Sequence, residues 1–145
     1  MVRTMFRSIG GFLLAAGAMA ALAGAEEVGC PAQIVTTQSL TKAVPGWTDR
    51  KDASPNVLAG LTFYDGRPEE QASLAPDEKH VRGKLVETWE LFPNPPRQNW
   101  IECVYAGTSI KIAKPLPKEI RGCTVTFDEM EHIDGYPKIE KIACK

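Results

Sequence analysis

Four cysteines, two histidines and a few carboxylates are the residues of this chain whose types could do chemistry. Cys30, Cys103, Cys123 and Cys144 would serve as nucleophiles or zinc ligands only as free thiolates, and pairing into disulfides removes both roles. His80, in Asp77-Glu78-Lys79-His80, and His132, in an acidic stretch, lie in no recognisable nucleophile or metal motif and read as solvated side chains. No Gly-x-Ser-x-Gly elbow announces a serine nucleophile. Asp128, Glu129, Glu131 and Asp134, followed by Gly135, offer oxygens that calcium would accept, but not at the spacing of an EF-hand loop. A solvated acidic turn is the stronger reading. Glu87 and Glu102 each fall in a strand-like segment, and a carboxylate pair can do acid–base work. Exposed or ion-paired positions fit them better. The sequence therefore assigns no catalytic residue, no metal ligand and no cofactor, and predicts a protein that is not an enzyme.

The cysteines carry more information when set against the first 25 residues. Arg3 and Arg7 lead into an apolar run from Ile9 to Ala23, and Ala23-Gly24-Ala25 offers the small-x-small site of signal cleavage. Residues 1–25 are predicted to be a cleavable signal peptide that delivers residues 26–145 to the periplasm as a single domain. The run of about 15 apolar residues is short for a membrane span, and no later stretch approaches the ~20 that a span needs. Val28-Gly29-Cys30 loosely resembles a lipid-attachment box, but Glu27 stands where an aliphatic residue belongs, and lipidation would leave an odd number of thiols. All four cysteines lie beyond the cleavage site, so two disulfides are expected in an oxidising compartment. Three pairings are open to four cysteines. Strand geometry favours Cys103–Cys123, bridging two neighbouring strands, with Cys30–Cys144 tying the ends.

The elements that must hold these residues are mostly strands. Gln33–Thr37, Leu58–Tyr64, Lys84–Phe92, Asn99–Ala106, Ser109–Ala113, the segment opening at Cys123, and Lys138–Cys144 show strand composition or period-2 alternation. In Lys84–Phe92, Leu85, Glu87, Trp89 and Leu91 share one face. Pro93, Pro95 and Pro96 end that segment, and Asn99–Ala106 then runs back, which predicts a hairpin over 84–106. In Ser109–Ala113 the alternation turns Ile110 and Ile112 inward. Asp65-Gly66 marks a turn, Pro68-Glu69-Glu70 a short helical turn, and residues 128–135 an acidic loop. The expected fold is mainly β: a small antiparallel sheet or barrel-like domain with two disulfides and little helix.

What remains is recognition. The leader holds two of the 17 basic residues and none of the 18 acidic ones, so the rest of the chain is mildly acidic with its charges spread out. No basic block tracks phosphates, and nucleic acid is excluded as a partner. The turn Asp65–Glu70, with Asp65, Arg67 and Glu69, and the proline-stiffened tip Phe92–Asn99, with Arg97, are the predicted partner-binding residues, because a pre-ordered loop loses little entropy on docking.

Several phrases in order along the chain give a family resemblance: Cys30-Pro31, Pro45-Gly46-Trp47, Leu61-Thr62-Phe63-Tyr64-Asp65-Gly66, Ala72-Ser73-Leu74-Ala75-Pro76-Asp77, Thr88-Trp89, Trp100-Ile101-Glu102-Cys103-Val104-Tyr105 and Lys114-Pro115-Leu116-Pro117. Together with the Cys123 strand, they resemble a family of small exported proteobacterial proteins, some of them near type VI secretion loci. The resemblance implies a periplasmic, immunity-type inhibitor of a secreted enzyme acting on the cell wall, a peptidoglycan-active toxin being the implied partner. The alternative is a structural or envelope-associated module with no enzyme partner.

Overall fold

The computed structural model describes residues 28–91 and 97–145. The signal peptide expected at 1–25 and residues 92–96 of the proline-rich tip lie outside them. Among these residues, eight strands are joined by turns and longer loops: β1 (Gln33–Thr37), β2 (Ala53–Asp65), β3 (Asp77–Val81), β4 (Lys84–Glu90), β5 (Asn99–Tyr105), β6 (Lys111–Pro115), β7 (Gly122–Ile133) and β8 (Tyr136–Cys144), with a 3₁₀ turn at Pro68–Glu70. They form two four-stranded antiparallel sheets, ordered β1-β2-β5-β6 and β3-β4-β7-β8. The β-rich fold class expected from composition is thus the one observed. No helix among the described residues is long and apolar enough to cross a membrane.

Period-2 alternation explains how the sheets share a core. In β5, Asn99, Ile101, Cys103 and Tyr105 are buried, while Trp100, Glu102 and Val104 are only half-buried. Phe63 of β2 and Trp89 of β4 meet across the sheets with ring centroids 4.9 Å apart at 56°, a tilted geometry that suits aromatic quadrupoles. Leu58, Leu91, Leu116, Cys123 and Val125 complete the buried cluster. The polar atoms among these residues are satisfied: the Trp89 indole N–H donates to the Leu74 carbonyl at 3.0 Å and the Tyr105 hydroxyl to the Pro31 carbonyl at 3.0 Å. Two-residue turns with positive φ at both positions, Arg82-Gly83 and Asp134-Gly135, close the β3–β4 and β7–β8 hairpins as the strand twist demands.

Four expectations are corrected. The 84–106 hairpin does not exist: β4 pairs with β3 on one side and β7 on the other, while β5 lies between β2 and β6 in the other sheet. The proline-rich segment is therefore a crossover between sheets, and both edges of β4 are already occupied. The disulfides pair differently as a result. Cys30 bonds Cys103 and Cys123 bonds Cys144, because β5 and β7 belong to separate sheets, whereas Cys123 and Cys144 stand directly opposite each other on β7 and β8. Finally, Ile110 and Ile112 are exposed rather than inward. Ile112 lies across from core-facing Cys103, but β6 is an edge strand and Ile112 stays exposed there. The acidic stretch 128–135 is likewise strand up to Ile133, with the turn confined to Asp134-Gly135.

Candidate interaction surface

The turn after β2 and the entry to β5 interlock. Asp65 stands across from Asn99 in the β2–β5 ladder, and the Gly66 N–H donates to the Gln98 carbonyl at 3.1 Å. Gly66 takes φ +98°, a left-handed backbone that favours glycine, and a Cβ there would push the Arg97 guanidinium aside. The 3₁₀ turn is closed by Glu70: its carboxylate accepts from the Arg67 backbone N–H at 3.1 Å and also pairs with the Arg97 guanidinium. Arg97 is in this way anchored across the two segments, although it sits at the end of a proline-rich connection.

Arg67 turns the other way. Its guanidinium lies 5.4 Å from the centroid of the Trp100 ring, an exposed cation–π contact of the kind typically worth ~0.5–1 kcal/mol. Trp100 projects from the face of β5 opposite the core, directly across from Tyr64. The Tyr64 hydroxyl donates to the Glu102 carboxylate at 3.2 Å, and Lys111 Nζ donates to the same oxygen at 3.3 Å. Burial first, and the Glu102 charge second, hold the Tyr64 hydroxyl above its ordinary pKa. The surface thus runs from Glu70–Arg97 through Arg67–Trp100 to Tyr64–Glu102–Lys111, alternating in sign and built around two aromatic rings. Such a surface is suited to docking: charged and aromatic groups are already held in place, so little side-chain entropy remains to be lost.

Of the residues singled out from sequence, Asp65, Arg67 and Arg97 come together here. Glu69 is exposed on the same turn. Glu70 and Trp100, which orient both arginines, were not anticipated; the Arg67-Pro68-x-Glu70 spacing, which places a carboxylate three residues after the turn's first residue, was the available signal. Glu87 and Glu102 are not brought together, since they sit on strands of different sheets. Three of the carboxylates of 128–134 sit beside basic side chains. Asp128 lies 3.6 Å from Lys84, Glu131 2.6 Å from Lys138, and Glu129 3.3 Å from His80. Asp128 also accepts from the Met130 N–H, which with Lys84 holds its pKa below the usual carboxylate value. His132 is exposed on the β7–β8 arm.

Comparison with known proteins bears on the same region. The family model described as "Type VI secretion system Tli immunity protein" matches residues 52–145, which takes in both segments of this surface. An uncharacterised 16.3 kDa protein encoded in the trpG 5′ region of Azospirillum brasilense is 34% identical over 110 residues, covering 70% of this chain and 72% of the relative. No solved structure matches the chain.

Proposed function

The chain belongs to the type VI secretion system Tli immunity protein family, and from that premise we propose that it blocks a secreted toxin by seating the Arg67–Trp100–Arg97 surface in the toxin's cleft. It acts by binding, not by catalysis. The observation that carries this reading is the interlocking of two segments distant in sequence through Gly66–Gln98 and Glu70–Arg97, which stiffens a surface of mixed charge around the half-buried rings of Trp100 and Tyr64. Arginine and tryptophan are the residues most often found at binding hot spots. We further propose that the protein is exported by cleavage after Ala25 and works in the periplasm. Its two disulfides suit an oxidising compartment. The substrate of the toxin is proposed to be the cell wall.

The test is capture followed by inhibition. Tagged residues 26–145, disulfides intact, are mixed with periplasmic extract from cells that also express the neighbouring genes. A stoichiometric toxin is expected in the eluate, and it should be inhibited on purified peptidoglycan when the protein is added. Arg67→Glu and Arg97→Ala should each weaken the complex by roughly tenfold or more, as hot-spot truncations do. Unchanged affinity in both variants would refute the choice of surface. Inhibition on phospholipid vesicles with no effect on peptidoglycan would refute the cell-wall target. An eluate that stays empty after cross-linking would favour the envelope-module alternative.

A further inference from the structure

A second feature adjoins the Tyr64–Glu102 end of that surface, where Thr62 stands across from Glu102. Between the two sheets opens a cleft of about 360 Å³, with Leu61 and Thr62 of β2 on one side and Leu85, Glu87, Phe127 and Tyr136 of β4, β7 and β8 on the other. Glu87 is the anomaly in it. It alternates with Leu85 and Trp89 on the inward face of β4 and stands across from Val125, which is fully buried. Its neighbour on β3 is another carboxylate, Glu78.

Most other carboxylates on the strands have a basic partner: Glu102 has Lys111, Asp128 and Glu140 share Lys84, Glu131 has Lys138, and Glu129 has His80. Among the described residues, Glu87 has neither a hydrogen-bond partner nor a counter-cation, and no lysine, arginine or histidine lines the cleft. Burial, and then the Glu78 charge, push its carboxyl above the ordinary glutamate pKa. A half-buried carboxylate with apolar neighbours and no partner is costly for a fold to keep, and in a cleft it marks a ligand site.

We propose that this cleft receives one basic side chain, arginine or lysine, presented by the toxin, with its aliphatic stem along Leu61, Leu85 and Phe127 and its cation on the Glu87 carboxylate. The argument is complementarity: apolar walls suit a (CH₂)₃ or (CH₂)₄ stem that buries well along apolar surface, and the charges lining the cleft, Glu87 and the exposed Asp134, are both anions that a guanidinium or ammonium would neutralise through charge-assisted hydrogen bonds. The toxin as the source of that side chain rests on the inhibitor reading above; the cleft itself does not involve Arg67, Trp100 or Arg97.

Two arms test it. In the first, calorimetric titration of the full oxidised domain with the toxin encoded beside it should show Glu87→Gln binding about 10- to 100-fold more weakly, the range for losing hydrogen bonds to a charged group. Thermal melting of the variant serves as the control, because removing an unpaired inward charge should leave it at least as stable as the parent, and weakened binding then has no unfolding explanation. In the second arm, butylguanidinium is titrated into the ¹⁵N-labelled protein. Backbone amide shifts are expected at Thr62, Leu85, Phe127 and Tyr136 in the parent, and neither in Glu87→Gln nor with uncharged butylurea. If Arg67→Glu weakens the toxin complex while Glu87→Gln does not and the probe moves no cleft amide, the cleft proposal is overturned and the inhibitor reading stands. If no neighbouring toxin binds at all, the inhibitor reading falls and takes with it the toxin as the source of the side chain, and shifts from butylguanidinium then decide whether the cation site exists.

Discussion

Replacing each disulfide in turn separates the two in energy. Cys30–Cys103 closes a span of 73 residues and Cys123–Cys144 one of 21. In the chain-entropy model these constraints raise the free energy of the unfolded state by about 4.4 and about 3.3 kcal/mol respectively at 25 °C. Packing losses are matched by the structure, since each bridge joins one buried sulfur, Cys103 or Cys123, to one half-buried sulfur, Cys30 or Cys144. Cys30→Ala/Cys103→Ala should therefore be less stable than Cys123→Ala/Cys144→Ala by about 1 kcal/mol. Urea unfolding followed by tryptophan fluorescence measures both, and the m-value should rise in each variant as the unfolded chain expands. A larger loss for Cys123→Ala/Cys144→Ala would refute the reasoning and place that bridge's contribution in holding β8 on β7. With total stabilities of single domains at about 5–15 kcal/mol, removing both bridges should leave the chain largely unfolded at 37 °C.

Other outcomes follow from single contacts. Trp89→Phe keeps the ring contact with Phe63 but abandons the Leu74 carbonyl, and should cost about 1–3 kcal/mol by urea unfolding. Gly66→Ala should lose about 1–2 kcal/mol from its left-handed backbone and displace Arg97; a melting temperature and toxin affinity equal to the parent's would contradict the packing described. For Glu87 the sign is set by its raised carboxyl: the folded chain holds a proton that the unfolded chain releases, so stability is greatest at low pH and falls as pH rises through the folded-state pKa. Glu87→Gln should remove that decline and melt higher than the parent at about pH 7, the advantage vanishing near pH 4. Melts that decline equally in both proteins would count against an inward, unpaired Glu87.

What could be read from the sequence was whatever announces itself locally. Alternation located β4 and β5 to within a residue or two, and the face shared by Leu85, Glu87, Trp89 and Leu91 is the inward face of β4. Asp65-Gly66 and Pro68 marked the turn that supports the candidate surface. Pairing was not local. Asp77–Val81 reads Asp-Glu-Lys-His-Val and is exposed throughout, because an edge strand needs no apolar face, so nothing in its sequence marks it as the partner of β4, whereas the apolar alternation of β5 suggests that role. The disulfide expectation failed for a separate reason: Cys103 and Cys123 both sit on the apolar faces of alternating strands, but β5 and β7 belong to different sheets. The outer half of β7 reads as a loop in the sequence for a related reason: its acidic side chains are solvated, and only the ladder to β8 makes it strand. At the surface, Arg67 and Arg97 carried a visible signal in charge and context, whereas Trp100 showed itself only once β2 and β5 were laid side by side.

The disulfide pattern has a consequence for how the molecule is made. The first cysteine along the chain joins the second and the third joins the fourth, so the two loops are consecutive and neither encloses the other. A chain threaded through a membrane from its amino end presents Cys30 and Cys103 before Cys123 arrives. An oxidant that simply joins cysteines in order of arrival therefore produces the native set. The nested arrangement, Cys30 with Cys144 around Cys103 with Cys123, would have obliged Cys30 to wait as a free thiol while nearer partners passed. With the export proposed above, maturation should accordingly depend on a dithiol oxidase and be indifferent to a disulfide isomerase, an economy that comes from placing each strand's covalent partner next in line.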